Sequence, residues 1–371
     1  MLSIEERNRY ARHLSLPEVG PDGQERLRNG SVLIVGVGGL GSPASLYLAA
    51  AGVGRIGLVD DDRVDESNLQ RQVLYDTRSL GAPKLDVAAD RLTALNPHVR
   101  VTAHATRLTS ENALEILRDY DVVVDGSDNF PTRYLVNDAC VFLEKPDVYG
   151  SVFRFAGQAS VFWRGKGPCY RCLYAEPPPP GLVPSCEEGG VLGVVPGLIG
   201  LVQATEAIKL LLGRGKSLVG RLLLVDTLQM SFREIGVPRN PDCVVCGHAP
   251  SVTRLVDYEA FCGTRVPEGG EELTSDQTFE RARGGAFLLD VREPAEWSRA
   301  RIDGATLIPL RELPKRIDEL PRDREIICYC ATGIRSAHAV KALRDAGFAP
   351  VSNLAGGIRR WAADGQPLVK V

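Results

Sequence analysis

The sequence has no apolar run long enough to cross a bilayer. Its longest, residues 191–202, has 12 residues and is interrupted by Pro196, against about 20 for a spanning helix. No export signal is expected, because its first residues, MLSIEERNRYARHL, are charged throughout and hold no apolar core. It has no excess of either charge: 44 Lys and Arg stand against 47 Asp and Glu, for a net charge of −3. Without a basic field, neither nucleic acid nor an anionic membrane is expected as a partner. No internal repeat stands out. These absences predict a cytoplasmic chain.

What is present is an ordinary globular composition, 44% hydrophobic and 25% charged. At about 150 residues per domain, a length of 371 predicts two domains, one of them large. Each is long enough to bury a core without crosslinks. Nine cysteines are an odd number for a disulfide framework. Four of them fall in two C-x-x-C pairs, which in a chain without an export signal points to metal binding and chemistry.

Strand and helix signals alternate over residues 1–247. Residues 31–35 (SVLIV), 55–60 (RIGLVD), 121–125 (DVVVD), 158–163 and 221–226 read as strands, while 41–51, 84–95 and 197–212 read as helices. This alternation predicts an α/β domain with a mostly parallel sheet. Residues 176–190 (EPPPPGLVPSCEEGG) form a Pro- and Gly-rich loop, long enough to be functional. After a linker over 248–271, a smaller α/β domain is expected over 272–371. Its signals are a helix at 275–283 capped by Ser275, strands at 286–290 and 325–329, and a helix at 336–346.

Gly36, Gly38, Gly39 and Gly41 lie in GVGGLG, which follows a strand and opens a helix. Glycines there let backbone N–H groups approach phosphate oxygens at a helix N-terminus. Asp60 ends the next strand, about 20 residues on, where a carboxylate can bond a ribose hydroxyl. Alone, this constellation reads as a nicotinamide-dependent oxidoreductase. The following DDDRVDESNLQRQ, then Lys84 in GAPK and Asp128 in DGSDN, argue against hydride chemistry. Arg71 and Lys84 can neutralise a phosphate under attack, and Asp128 can hold Mg²⁺.

These motifs resemble the adenylating domain of the ubiquitin-activating-enzyme superfamily, above all the bacterial molybdopterin-synthase and thiamine-biosynthesis adenylyltransferases, over about residues 5–247. The resemblance implies a Rossmann-like domain that binds ATP through Gly39, Asp60, Ser67, Asn68, Leu69, Gln70, Arg71, Lys84, Asp128 and Asn129. It also implies a homodimer in which Arg12 reaches into the partner subunit's ATP site.

Cys169, Cys172, Cys243 and Cys246 form two C-x-x-C knuckles, a donor set suited to one structural Zn²⁺. Cys186 sits in the Pro- and Gly-rich loop, where a thiol could travel to an activated acyl group. Relatives in the superfamily use a cysteine here for a thioester or mixed persulfide. Cys330 ends a strand and opens the loop CATGIR ahead of a helix, an arrangement that aims N–H groups at the sulfur and sets Arg335 nearby to stabilise its anion. With DVREPAEW and AGG, this loop resembles a rhodanese domain over 272–371. Ala331 and Arg301 depart from that pattern, where basic and histidine residues are common.

Taken together, the chain is expected to adenylylate the C-terminal glycine of a small ubiquitin-like sulfur carrier ending in Gly-Gly. A Cys330 persulfide, loaded by a cysteine desulfurase or thiosulfate, would then give a thiocarboxylate. The resemblance is to proteins of molybdopterin, thiamine, cysteine or tRNA-thiolation pathways. The alternatives are the oxidoreductase, an activator that stops at a Cys186 thioester for protein conjugation, and a non-catalytic zinc scaffold.

Overall fold

The computed structural model describes residues 1–178, 189–263 and 270–370. Cys186 therefore lies outside the described residues. Two compact units divide between Tyr258 and Glu259.

The first unit is an eight-stranded sheet with the order β3-β2-β1-β4-β5-β6-β7-β8. The strands are β1 (Ser31–Val35), β2 (Arg55–Val59), β3 (Arg100–His104), β4 (Val122–Asp125), β5 (Asp147–Phe153), β6 (Ala156–Phe162), β7 (Arg221–Asp226) and β8 (Ser231–Gly236). The first five are parallel and the last three join by antiparallel pairing. β1 and β4 are buried throughout, which is why they read as unbroken apolar runs rather than alternating ones.

The helices of this unit are α1 (Ile4–Arg9), α2 (Ala11–Leu14), α3 (Gly20–Asn29), α4 (Gly41–Ala51), α5 (Lys84–Leu95), α6 (Ala113–Arg118), α7 (Phe130–Leu143), α8 (Tyr170–Leu173) and α9 (Val194–Leu212). The apolar run stops at Val202, but α9 extends it through Gln203, Thr205, Glu206 and Lys209, and among the described residues this helix alone is long and apolar enough to cross a membrane by length and composition. It packs on α4 and on β4, β5 and β6. Its Gln203 is buried and donates to the carbonyls of Asp125 and Val148 at 2.7 and 2.8 Å. The helix also runs through Pro196, tolerable because that residue lies in its first turn, where an N–H has no intrahelical acceptor.

The second unit carries a parallel sheet of order β12-β10-β13-β14-β9. Its strands are β9 (Glu271–Leu273), β10 (Phe287–Asp290), β12 (Thr306–Leu307), β13 (Ile326–Tyr329) and β14 (Val351–Leu354). A separate antiparallel pair joins β11 (Ala300–Arg301) to β15 (Val369–Lys370). Helix Ser275–Arg283 is capped by Thr274 rather than Ser275: Thr274 accepts from Gln277 N–H, and the Gln277 side chain returns to Thr274 N–H. Glutamine three residues after the threonine completes a capping box and settles which hydroxyl caps.

Candidate functional site

The order in which strands are added to the sheet reverses between the parallel neighbours β1 and β4. A cleft of 380 Å³ opens there at the C-terminal ends of β1, β2 and β4, the place where open α/β sheets take ligands. Gly36 has φ +84, and a Cβ on Gly41 would lie 2.0 Å from the Gly36 carbonyl oxygen. Only glycine fits either position, and the turn lets α4 begin against the cleft. Asp60 holds this turn from β2, accepting Val37 N–H at 2.7 Å and Asp62 N–H at 2.9 Å. Tyr75 OH donates to the Val37 carbonyl at 2.8 Å from the other side. Burial pushes the Asp60 carboxyl above its usual range, against the opposing pull of Lys84 and the two N–H donors.

Gly36, Gly38, Gly39, Asp60, Asn68, Arg71, Lys84, Asp128 and Asn129 all line the cleft. Lys84, buried at the start of α5, holds Asp62 at 2.7 Å. Arg71 is braced by a 2.9 Å bond to the Ser67 carbonyl. Ser67, Leu69 and Gln70 are not among the lining residues. Ser67 Oγ turns back to Asp65 at 2.6 Å, and a Cβ on Gly193 would lie 2.1 Å from the Gln70 carbonyl oxygen. Asn129 accepts Thr132 N–H at 3.0 Å and so caps α7. Arg12 is exposed on α2 and does not line the cleft of its own chain.

Sequence reasoning missed Arg133. It is buried on α7, lines the cleft, and donates to Ser151 Oγ at 2.9 Å and the Ser127 carbonyl at 3.1 Å. The available signal was its position one turn after the Asn129 cap, on a helix leaving a strand end. The cleft therefore gathers the cations of Arg71, Lys84 and Arg133 with the carboxylates of Asp60, Asp61, Asp62 and Asp128. That mixture suits a polyphosphate with a divalent cation better than an uncharged ligand.

The two knuckles meet. The sulfurs of Cys169 and Cys243 are 3.5 Å apart, Cys172 and Cys246 3.4 Å, and Cys169 and Cys172 3.9 Å. All four lie within 4.8 Å of one another. Zn–S bonds of about 2.3 Å give a tetrahedral edge of about 3.8 Å, so the donor set fits zinc.

In the second unit Cys330 follows β13 and is wholly buried. Gly333 N–H donates to its sulfur at 3.1 Å, and Ser336 Oγ lies 3.5 Å from it. The Arg335 guanidinium, expected beside the sulfur, gives both terminal nitrogens to the Glu296 carboxylate at 2.8 Å each. Arg292 makes its own two-point pair with Asp290, through Nε and Nη2 at 2.9 and 2.6 Å, so the charged residues of DVREPAEW largely serve ion pairs.

The ThiF family model matches residues 10–245, and the rhodanese-like domain model matches 275–364. The probable adenylyltransferase/sulfurtransferase MoeZ of Mycobacterium tuberculosis is 50% identical, over 99% of this chain and 95% of its own length. The sulfur carrier protein adenylyltransferase of Thermus thermophilus is 61% identical, over 70% of this chain and 98% of its own. Among solved structures, E. coli MccB aligns with TM-score 0.59 at 24% identity, over 67% of this chain and 76% of that one, a likeness of fold. These relatives leave no room for the oxidoreductase reading of the glycine turn. With near-complete alignment to a two-activity relative, the chain belongs to the ThiF family, as an adenylyltransferase that continues into a rhodanese-like sulfurtransferase domain.

Proposed function

We infer that the first unit uses ATP to activate the C-terminal glycine of a small ubiquitin-like sulfur carrier, and that Cys330 supplies the sulfur. The observation that carries this is the pairing, in one chain, of a cation-lined cleft at the β1/β4 switch with a buried thiol that accepts an N–H. The carrier carboxylate attacks the α-phosphorus, and the bond to the β-phosphate breaks as pyrophosphate leaves. Arg71 and Lys84 neutralise the charge that builds on the phosphates, with Arg12 contributed by the partner subunit of a homodimer. Loss of one such contact typically costs about 10²–10³ in rate. Asp128 is the residue suited to hold Mg²⁺, whose role is to neutralise phosphate oxygens. Zinc on the four knuckle thiolates is structural. It fastens the segment around Cys243 to the body of the unit.

The outer sulfur of a Cys330 persulfide then attacks the acyl carbon, and AMP leaves. A thiol, from Cys186 or an external reductant, attacks the Cys330 sulfur and releases the thiocarboxylate. The donor that loads Cys330 is a cysteine desulfurase or thiosulfate, and the pathway is that of whichever carrier is accepted. The setting is the cytoplasm.

The test is ATP–pyrophosphate exchange with carriers ending in Gly-Gly, followed by intact mass of the carrier. Cys330→Ala should keep exchange and lose the added sulfur. Asp128→Ala should lose both. Normal thiocarboxylate yield from Cys330→Ala overturns the sulfur assignment, and exchange retained by Asp128→Ala overturns the metal role.

A further inference from the structure

Ser336 is fully buried in the helix that follows the Cys330 loop, and its hydroxyl has two acceptors within reach. One is the Gly333 carbonyl at 3.1 Å and the other is the Cys330 sulfur at 3.5 Å. A hydroxyl has one hydrogen, so it serves one acceptor at a time. Which one it serves depends on how well the Gly333 carbonyl is satisfied without it.

That carbonyl has two other donors. Ala337 N–H reaches it at 3.1 Å as the helix begins, and Asn353 Nδ2 reaches it at 3.1 Å from β14. Asn353 is itself held from β9, where the paired Glu272 carboxylate accepts from the same nitrogen at 2.9 and 3.1 Å. Both amide hydrogens are therefore committed, one to Glu272 and one to Gly333. The opposite amide orientation would set Oδ1 against a carboxylate and a carbonyl, so the acceptors fix which way the side chain points. The consequence is an Asn353 Oδ1 that is buried with no hydrogen-bond partner among the described residues. A buried orphan acceptor is costly, and its retention calls for a compensating role.

We propose that Ser336 and Asn353 are positioning residues for Cys330. Asn353 keeps the Gly333 carbonyl satisfied so that the Ser336 hydrogen turns to the sulfur when the sulfur carries negative charge. Gly333 N–H and Ser336 O–H then both donate to the thiolate. The step they assist is the loading of Cys330. Its thiolate attacks the outer sulfur of a donor persulfide, a new S–S bond forms, and the donor's own S–S bond breaks with its electron pair on the departing thiolate. Nothing is oxidised or reduced overall. The proposal rests on the sulfur-transfer reading, but its test does not require a sulfur donor.

The test is the rate of iodoacetamide alkylation at Cys330 in the full zinc-loaded chain at fixed pH, read on the Cys330 peptide by mass spectrometry. Ser336→Ala should slow alkylation about tenfold, the size of a lost hydrogen bond to a charged group. Ser336→Thr, which keeps the hydroxyl, should restore most of it. Asn353→Ala should slow it about threefold, and the double variant should be no slower than Ser336→Ala, because Asn353 acts through the hydroxyl. Wild-type alkylation in a folded Ser336→Ala protein overturns the proposal, as do multiplying effects in the double variant. If Asn353→Ala does not fold, the Ala and Thr variants at 336 decide alone. Slowed alkylation in a chain whose wild type never forms a persulfide would fail the sulfur-transfer reading and leave the positioning role standing.

Discussion

Arg171 and Asp138 face each other as a two-point ion pair almost wholly out of water: Nε meets Oδ1 at 2.9 Å and Nη2 meets Oδ2 at 2.8 Å, with side chains 2% and 0% exposed. Arg171 stands between Cys169 and Cys172, and Asp138 lies on α7. Tyr258 OH adds a bond to Asp138 at 2.7 Å, and Asn137 accepts Tyr170 N–H at 2.7 Å. The first knuckle is thus bolted to the helix whose opening turns carry Asn129 and Arg133. The cysteine tetrad and the cation-lined cleft share a mount.

Arg171→Met should accordingly be costly, since it leaves a carboxylate buried without its countercharge. Removing one partner of such a pair costs about 3–5 kcal/mol. Urea unfolding of the full chain should show that loss in the transition of the first unit. Adding Asp138→Asn should recover part of it. A loss under about 1 kcal/mol for the single variant would mean that water or Tyr258 already compensates the charge.

The sequence was most legible where one face or one motif decides the local structure. The strands at 31–35 and 221–226 and the helices at 41–51 and 84–95 coincide with those observed, because apolar runs and amphipathic spacing are local signals. The antiparallel extension was less so. β8 is exposed along its whole length and has no buried face to impose alternation. Arg335 illustrates the other limit. Its position next to the Cys330 loop was readable, but Glu296 is 39 residues away, and only the folded sheet brings them together. Arg133 was overlooked for the same reason: its partners Ser127, just past β4, and Ser151, within β5, are far apart in sequence.

The cysteine tetrad should hold one zinc per chain, measurable by elemental analysis and native mass. Cys246→Ser should drop the occupancy well below one half, because a hydroxyl is a poor substitute for thiolate. The same variant should lower the melting temperature of the first unit, since binding energy at such sites is folding energy. Unchanged zinc content in the variant would place the metal elsewhere.

Acid should weaken the second unit through Glu296. Burial alone would raise the pKa of its carboxyl, but the hydrogen bonds and charge of Arg335 outweigh burial and hold it below the usual 4.5. A depressed folded value means the pair contributes stability above pH 4.5 and loses it as pH falls through the folded value. Glu296→Gln should therefore melt earlier than the parent at pH 7 and converge with it in acid. Parallel melting curves at every pH would show that the pair contributes no pH-dependent stability.

Asp147 should behave in the opposite sense. β4 and β5 run parallel with Val123 opposite Asp147, so Asp125, two residues on, shares its face of the sheet. Both carboxyls are buried, and Asp147 Oδ1 has no hydrogen-bond partner among the described residues. Burial, and then the nearby Asp125 charge, push the Asp147 carboxyl well above its usual 3.8, with Arg133 pulling the other way. Between 3.8 and the raised folded value the unfolded chain has released its proton while the folded chain still holds it. The unfolded state then binds fewer protons, so stability falls as pH rises through that window. Asn at this position keeps the shape and has no proton to lose. Asp147→Asn should therefore melt above the parent at pH 7, with a smaller decline between pH 4 and pH 7 in thermal scans of the full chain. A variant that melts below the parent at pH 7 would mean that the carboxylate is ionised and compensated where it lies, with Arg133 as its countercharge.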